Sequence, residues 1–236
     1  NMLLNMDGRY PQMPGDMIDR NDNGVIDRDE IDIPTNTRPG VCGMFPGWFD
    51  MADSNHDGKI TPRELQQHIV RPTMVYNDRM RIELGGKVVE LVHPGENHSN
   101  DATVMVFPAE RAAFATEFIA DALVAGNPRS LPSACGPFDG SPLAEWIKSY
   151  RTVEELHFDV LITGHGSALL DKAVVRETRE YFEYLRAEVA AGMASGKSLD
   201  QLKETVLLEH YKDWANYERL RANNVEAAYR NLLTYR

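Results

Sequence analysis

The chain has 236 residues, 42% of them hydrophobic and 26% charged, the composition of an ordinary globular protein with room for one large domain or two modest ones. A formal net charge of −11 argues against a surface that tracks nucleic-acid phosphates or anionic lipid, and no apolar run approaches the roughly 18 residues of a membrane span. Two cysteines, Cys42 and Cys135, are too few for a disulfide framework or a four-thiolate zinc site, and they leave the redox compartment open.

No basic, apolar, small-residue leader stands before the fold, so a signal peptide is expected to be absent or removed. Asn1 before Met2 suggests a tag remnant or a cut boundary. The chain divides near Pro72, giving an expected module of residues 1–74 and an expected second domain of residues 75–236. The first is rich in Asp, Asn, Gly and Pro and carries 12 acidic and 7 basic residues; the second carries 24 and 18, so the acidity is spread over both.

Two twelve-residue loops mark the first module. One is Asp19-Arg-Asn21-Asp-Asn23-Gly24-Val25-Ile26-Asp27-Arg-Asp-Glu30, the other Asp53-Ser-Asn55-His-Asp57-Gly58-Lys59-Ile60-Thr61-Pro-Arg-Glu64. Both place oxygen side chains at positions 1, 3, 5 and 9, Gly at 6, Ile at 8 and Glu at 12. Calcium takes six to eight oxygens, and this spacing wraps one chain around it. Gly24 and Gly58 allow the sharp turn, Val25 and Lys59 offer backbone carbonyls, and Glu30 and Glu64 would bind through both oxygens. Ile26 and Ile60 fit a short strand pairing the loops. The loops resemble the EF-hand family over the whole twelve-residue pattern, twice. Two calcium ions are therefore expected, held by Asp19, Asn21, Asn23, Val25, Asp27 and Glu30, and by Asp53, Asn55, Asp57, Lys59, Thr61 and Glu64. Pro34, Pro39 and Pro46 cut the connection and shorten the helices, so a structural site is expected rather than a sensor, with Trp48, Phe49 and Met51 as the module's core.

From Met80 the pattern turns to strands. Met80–Leu84 and Lys87–His93 form an expected hairpin through Gly85-Gly86. Ala102–Phe107 and Ala112–Thr116 are expected strands on either side of a Pro108–Arg111 turn. Ser141-Pro142 predicts an N-cap and first-turn proline opening a helix to about Leu156. Phe158–Thr163 predicts a short buried strand ending at Gly164-His165-Gly166. Helices are expected over about 171–191, 198–208 and 212–234, their aromatic residues at helical spacing making a packing face.

This second part resembles the later half of the metallo-β-lactamase superfamily. The resemblance is carried by the hairpin Arg81–His93, by Gly95-Glu96-Asn97-His98-Ser99, by the strand-turn-strand Ala102–Thr116 followed by Glu117, and by Gly164-His165-Gly166. It implies an α/β fold, a mixed β-sheet flanked by helices, as half of an αββα sandwich behind an N-terminal EF-hand-like module. It also implies zinc ligands at His98, Glu117 and His165, with a metal-bound water as the nucleophile of a small-molecule hydrolase. The family's first metal motif, His-x-His-x-Asp-His, has no counterpart here, and Glu117 stands where an Asp is usual.

Two functions remain open on these grounds. One is a metallo-β-lactamase-superfamily hydrolase chain or fragment with structural calcium. The other is a non-catalytic calcium-binding or assembly protein that keeps the hydrolase half as scaffold. With one sheet's apolar face left to cover, the expected partner is a second copy, as a homodimer, or a chain carrying the missing half; no nucleic acid and no membrane span are expected. The calcium loops favour a periplasmic or extracellular location.

Overall fold

The computed structural model describes residues 21, 23–30, 48–66, 73–98, 100–115, 118–119, 129–132, 141–164 and 169–235. The chain forms two compact units, Asn1–Val75 and Tyr76–Arg236.

In the first unit the ordered elements are short, because ligand-type side chains interrupt every apolar stretch. Strands β1 (Ile26–Asp27) and β2 (Lys59–Ile60) pair antiparallel, Ile26 opposite Ile60 and Asp27 opposite Lys59. A 3-10 turn follows β1 at Arg28–Glu30, and two helices of 5 residues each flank the second loop, α1 (Trp48–Ala52) and α2 (Pro62–Gln66). Ile26, Phe49 and Ile60 form a buried cluster with Ala52 against it. Of the expected core residues Phe49 is in place, and the side chains of Trp48 and Met51 lie outside what is described. The Arg28 guanidinium sits 4.3 Å from the Phe49 ring centroid and pairs with Asp50, closing one side of this small core.

The second unit is built on a six-stranded sheet of order β3-β4-β5-β6-β7-β8. The strands are β3 (Arg79–Leu84), β4 (Lys87–Val92), β5 (Val104–Phe107), β6 (Ala112–Ala115), β7 (Val160–Thr163) and β8 (Leu170–Asp171). Neighbours run antiparallel except β6 and β7, which are parallel and joined through helix α3 (Leu143–Glu155). Gly85 and Gly86 take φ values of 58° and 79°, the left-handed pair that a two-residue hairpin turn demands. The sheet is thus mixed and helix-flanked, as the sequence predicts.

Alternation along each strand separates the two faces. Val92, Val104, Val106, Ala113, Ala115, Leu161 and Leu170 join one buried core with α3 and with α4 (Lys172–Ala194). At its centre Trp146, Tyr150, Tyr181 and Phe182 are fully enclosed, Tyr150 and Phe182 ring to ring at 5.5 Å. On the other face the registers align Met80, Leu91, Met105, Phe114 and Ile162 in one row, Ile82 with Val89, and Phe107, Ala112 and Val160 in a row that ends on Asp171 of β8. None of these ten apolar residues is buried.

Helices α5 (Leu199–Thr205) and α6 (Tyr217–Thr234) complete the unit. Ser198 and Gln201 cap α5 reciprocally, the N-cap box that Ser-x-x-Gln encodes. Three boundaries differ from expectation. The helix expected from 212 starts at Tyr217, because Leu208 and Asn216 adopt left-handed φ values of 53° and 63° around a 3-10 turn at Glu209–Tyr211. Strand β8 precedes α4, with Asp171 as N-cap accepting from the Val174 N–H. At α3, Pro142 is the N-cap residue and Ser141 does not supply the cap. Asn231 of α6 does instead: its Oδ1 accepts from the Leu143 N–H at 2.9 Å and its Nδ2 donates to the Ser141 carbonyl at 3.0 Å.

Candidate calcium loops and the sheet-edge histidine

Both loops close by the same scheme. Glu30 reaches back across the first, Oε1 accepting from the Asn21 N–H at 3.0 Å and Oε2 from the Asp27 N–H at 2.8 Å. Glu64 does the same across the second, Oε1 accepting from the Ser54 N–H at 3.1 Å and Oε2 from the Thr61 N–H at 2.8 Å. Asn21 and Asn23 accept from the backbone two residues on, as do Asn55 and Asp57, so that side-chain oxygens at positions 3 and 5 stay on the inner side of each turn. Gly24 and Gly58 have φ of 85° and 82°, a conformation that a Cβ would penalise. Buried Asp53 accepts from the Asp57 N–H through one oxygen and from the Gly58 N–H through the other.

The hydrogen bonds of Glu64, the Thr61 N–H first among them, hold its carboxyl below the usual glutamate range. Asp27 is likewise lowered, chiefly by the Asn23 amide, which donates to it at 2.7 Å, with Lys59 across the ladder adding at 3.7 Å. A donor set of carboxylates, side-chain amides, a hydroxyl and backbone carbonyls suits a hard cation and would hold calcium. Asp19, the first position of loop one, lies outside the described residues. Ile26 and Ile60 join the loops as the spacing predicts, and His56 is exposed at φ 60°.

In the second unit, the segment after β4 presents His98 to solvent directly after fully buried Asn97. Asn97 Nδ2 donates to the Gly95 carbonyl at 3.1 Å and to Ser149 Oγ at 3.3 Å, and Ser149 donates to the Glu96 carbonyl at 3.1 Å. Ser149 on α3 thereby fastens the loop that carries His98. Its only trace in the sequence is a small polar residue among the large apolar positions of a helix. His93 Nδ1 is 2.9 Å from the Ala102 carbonyl. Glu117 and His165 lie outside the described residues. Among the described residues no three His, Cys, Asp or Glu side chains converge as a metal-binding group. In the two loops the carboxylate oxygens of Glu30, Asp53 and Glu64 are directed instead at the loops' own N–H groups.

An EF-hand family model matches residues 47–70. No curated protein matches the chain. Among solved structures, the stereoselective inverting sec-alkylsulfatase Pisa1 from Pseudomonas sp. is similar at 15% identity and a TM-score of 0.53, covering 71% of this chain and 28% of that enzyme. A double mutant of the same enzyme gives 14% identity and 0.51, covering 71% and 27%. A metallo-β-lactamase family protein from Thermus thermophilus covers 71% and 50% at 17% identity and 0.42. The match thus spans little more than a quarter of the sulfatase's length. The likeness to the sulfatase, at this identity, establishes the fold alone, a metallo-β-lactamase-like half-sandwich; the EF-hand-like motif rests on the family model. Among the described residues no helix is long and apolar enough to cross a membrane.

Proposed function

We propose that this chain is a calcium-binding protein whose two loops hold structural ions, and whose metallo-β-lactamase-like half serves as an assembly scaffold rather than a catalyst. The observation that carries this reading is the twice-repeated loop closure, Glu30 and Glu64 each spanning its own loop with both carboxylate oxygens, the loops joined through Ile26 and Ile60. Asp19, Asn21, Asn23, the Val25 carbonyl, Asp27 and Glu30 would hold one ion. Asp53, Asn55, Asp57, the Lys59 carbonyl, Thr61 and Glu64 would hold the other. Either ion relieves the repulsion among the carboxylates around it, so binding stabilises the first unit by an amount set by free calcium relative to Kd. Titration calorimetry on the intact chain tests this: two calcium ions bound, with melting temperature lowered by chelation, are expected, and the absence of binding overturns it.

A zinc-dependent hydrolase is the second reading, supported by the sheet shared with the alkylsulfatase and by the solvent-facing position of His98 at its edge. His98, Glu117 and His165 would hold zinc, which would activate a water against a small ester such as an alkyl sulfate. Zinc retained after dialysis and lost in His98→Ala would favour it over the scaffold. The calcium loops favour an extracellular or periplasmic setting in either case.

A further inference from the structure

Asn23 and Gly24 stand exposed on the turn of the first loop, and no other asparagine in the chain precedes a glycine. We infer that Asn23 is a self-modifying site, at which the Gly24 nitrogen cyclises onto the side-chain amide and the loop's fifth position becomes a carboxylate. The modification needs only water; its effect on the loop rests on the calcium binding proposed above.

The Gly24 nitrogen gives up its proton and bonds to Asn23 Cγ. The Cγ–Nδ2 bond breaks, and Nδ2 takes up a proton and leaves as ammonia. Water then opens the cyclic imide. Cleavage of the new bond leaves aspartate, and cleavage of the old peptide bond leaves isoaspartate, with the main chain running through Cγ. Nothing is oxidised or reduced.

Gly24 has no Cβ to obstruct its own nitrogen, and nothing lies within 4 Å of where one would stand. Water reaches the reacting atoms because Asn23 is exposed. Asn55 makes the same turn in the second loop, but a side-chain-bearing residue, His56, follows it. Asn224 and Asn231 are buried in α6, each with its amide bonded to groups far along the chain. The second loop carries at its fifth position the residue this reaction makes. Asp57 accepts there from the Lys59 N–H at 3.0 Å, as Asn23 does from the Val25 N–H at 2.9 Å. Gly58 and Gly24 follow them with nearly equal φ, 82° and 85°. A carboxylate therefore fits the turn.

Its effect follows from Asp27. Asn23 Nδ2 donates to the Asp27 carboxylate at 2.7 Å, and the reaction replaces that donor with a second negative charge. The calcium-free loop then loosens by like-charge repulsion. With calcium bound, the same oxygen becomes a fourth ligand carboxylate beside those of Asp19, Asp27 and Glu30, and ligand charge is what sets affinity in such loops. The modified loop depends more strongly on its ion.

The full chain, held in chelator at mildly alkaline pH and mapped by tryptic digestion and mass spectrometry, tests this. The mass gain of an amide-to-acid exchange should build up at Asn23 ahead of every other asparagine, with isoaspartate detected there by enzymatic methylation. Asn23→Ser should abolish both signals from that peptide. Asn23→Asp, the product without the isoaspartate, should bind calcium several-fold more tightly at the first loop and melt at a lower temperature in chelator. No gain at Asn23, a gain no faster than at Asn55, or an Asn23→Asp chain with unaltered melting in chelator overturns the inference. Calcium titration separates the two proposals: a chain modified at Asn23 that binds no calcium sinks only the calcium reading, and one that binds two ions while Asn23 stays intact sinks only this one.

Discussion

Ile26 and Ile60 stand directly opposite one another in the ladder between the two loops, 1% and 0% exposed. This pair is the mechanical link between the loops, since each isoleucine follows a loop's turn and precedes the glutamate that closes it. Ile60→Ala should cost the unit about 2–4 kcal/mol, the usual range for such a truncation in a core. Because β1 leans on β2, it should weaken calcium binding at both loops. Calorimetric titration of the variant checks this; an affinity loss confined to the second loop would show that the ladder does not couple them.

Glu64 gives the second loop a pH dependence. Its carboxyl is lowered in the folded chain, so its contribution to loop closure is complete above the ordinary glutamate value of about 4.3 and disappears as pH falls through the lowered one. The amide protons of Ser54 and Thr61, which Glu64 accepts, should exchange slowly near neutrality and quickly once the carboxyl is protonated. Hydrogen exchange followed by NMR across pH 3–6 checks this. In Glu64→Gln the dependence should vanish.

Asn231→Ala removes the cap of α3 from across the molecule. It strands the Leu143 N–H and the Ser141 carbonyl in a buried setting, each of them now satisfied by the Asn231 amide. A loss of about 1–3 kcal/mol in denaturant unfolding is expected, with little change in m-value. Asn231→Asp should recover the acceptor half of the arrangement and lose the donor half.

Gly192 marks a close approach between α4 and α5. A Cβ built there would lie 2.3 Å from Leu202 Cδ2, in a core position. Gly192→Ala should therefore destabilise by about 1–3 kcal/mol despite its helical advantage, and the double change with Leu202→Ala should recover part of the loss. A double-mutant cycle in urea measures the coupling.

Much of this is legible in the residues. The twelve-residue spacing and the glycines at position 6 make the loops legible, because a loop closed within one continuous segment leaves a local pattern. The Gly85-Gly86 hairpin and the alternation of β5 and β6 are local in the same sense. What the sequence hides is tertiary. No local rule assigns the cap of Leu143 to a residue 88 positions away, and the role of Ser149 beneath the His98 loop depends on a contact with Asn97, 52 positions distant. The start of α6 escapes residue-type reasoning because the left-handed turn at Asn216 breaks a stretch whose composition suits a helix.

Where β6 and β7 lie side by side and parallel, the chain has travelled 44 residues, from Thr116 to Asp159, to bring Ala115 beside Thr163. β3 through β6 are instead joined in sequence by hairpin turns or short links. Loop-closure entropy therefore sets an order of events: the meander can form early on local contacts, and β7 docks only when α3 has brought the chain back. The ion pair of Arg111 with Asp159, at 2.6 Å, ties the β5–β6 turn to the approach of β7 and belongs to this late step. Pulse-labelled hydrogen exchange during refolding should find the β5 amides protected before those of β7. Asp159→Ala should leave the early phase unchanged and speed unfolding.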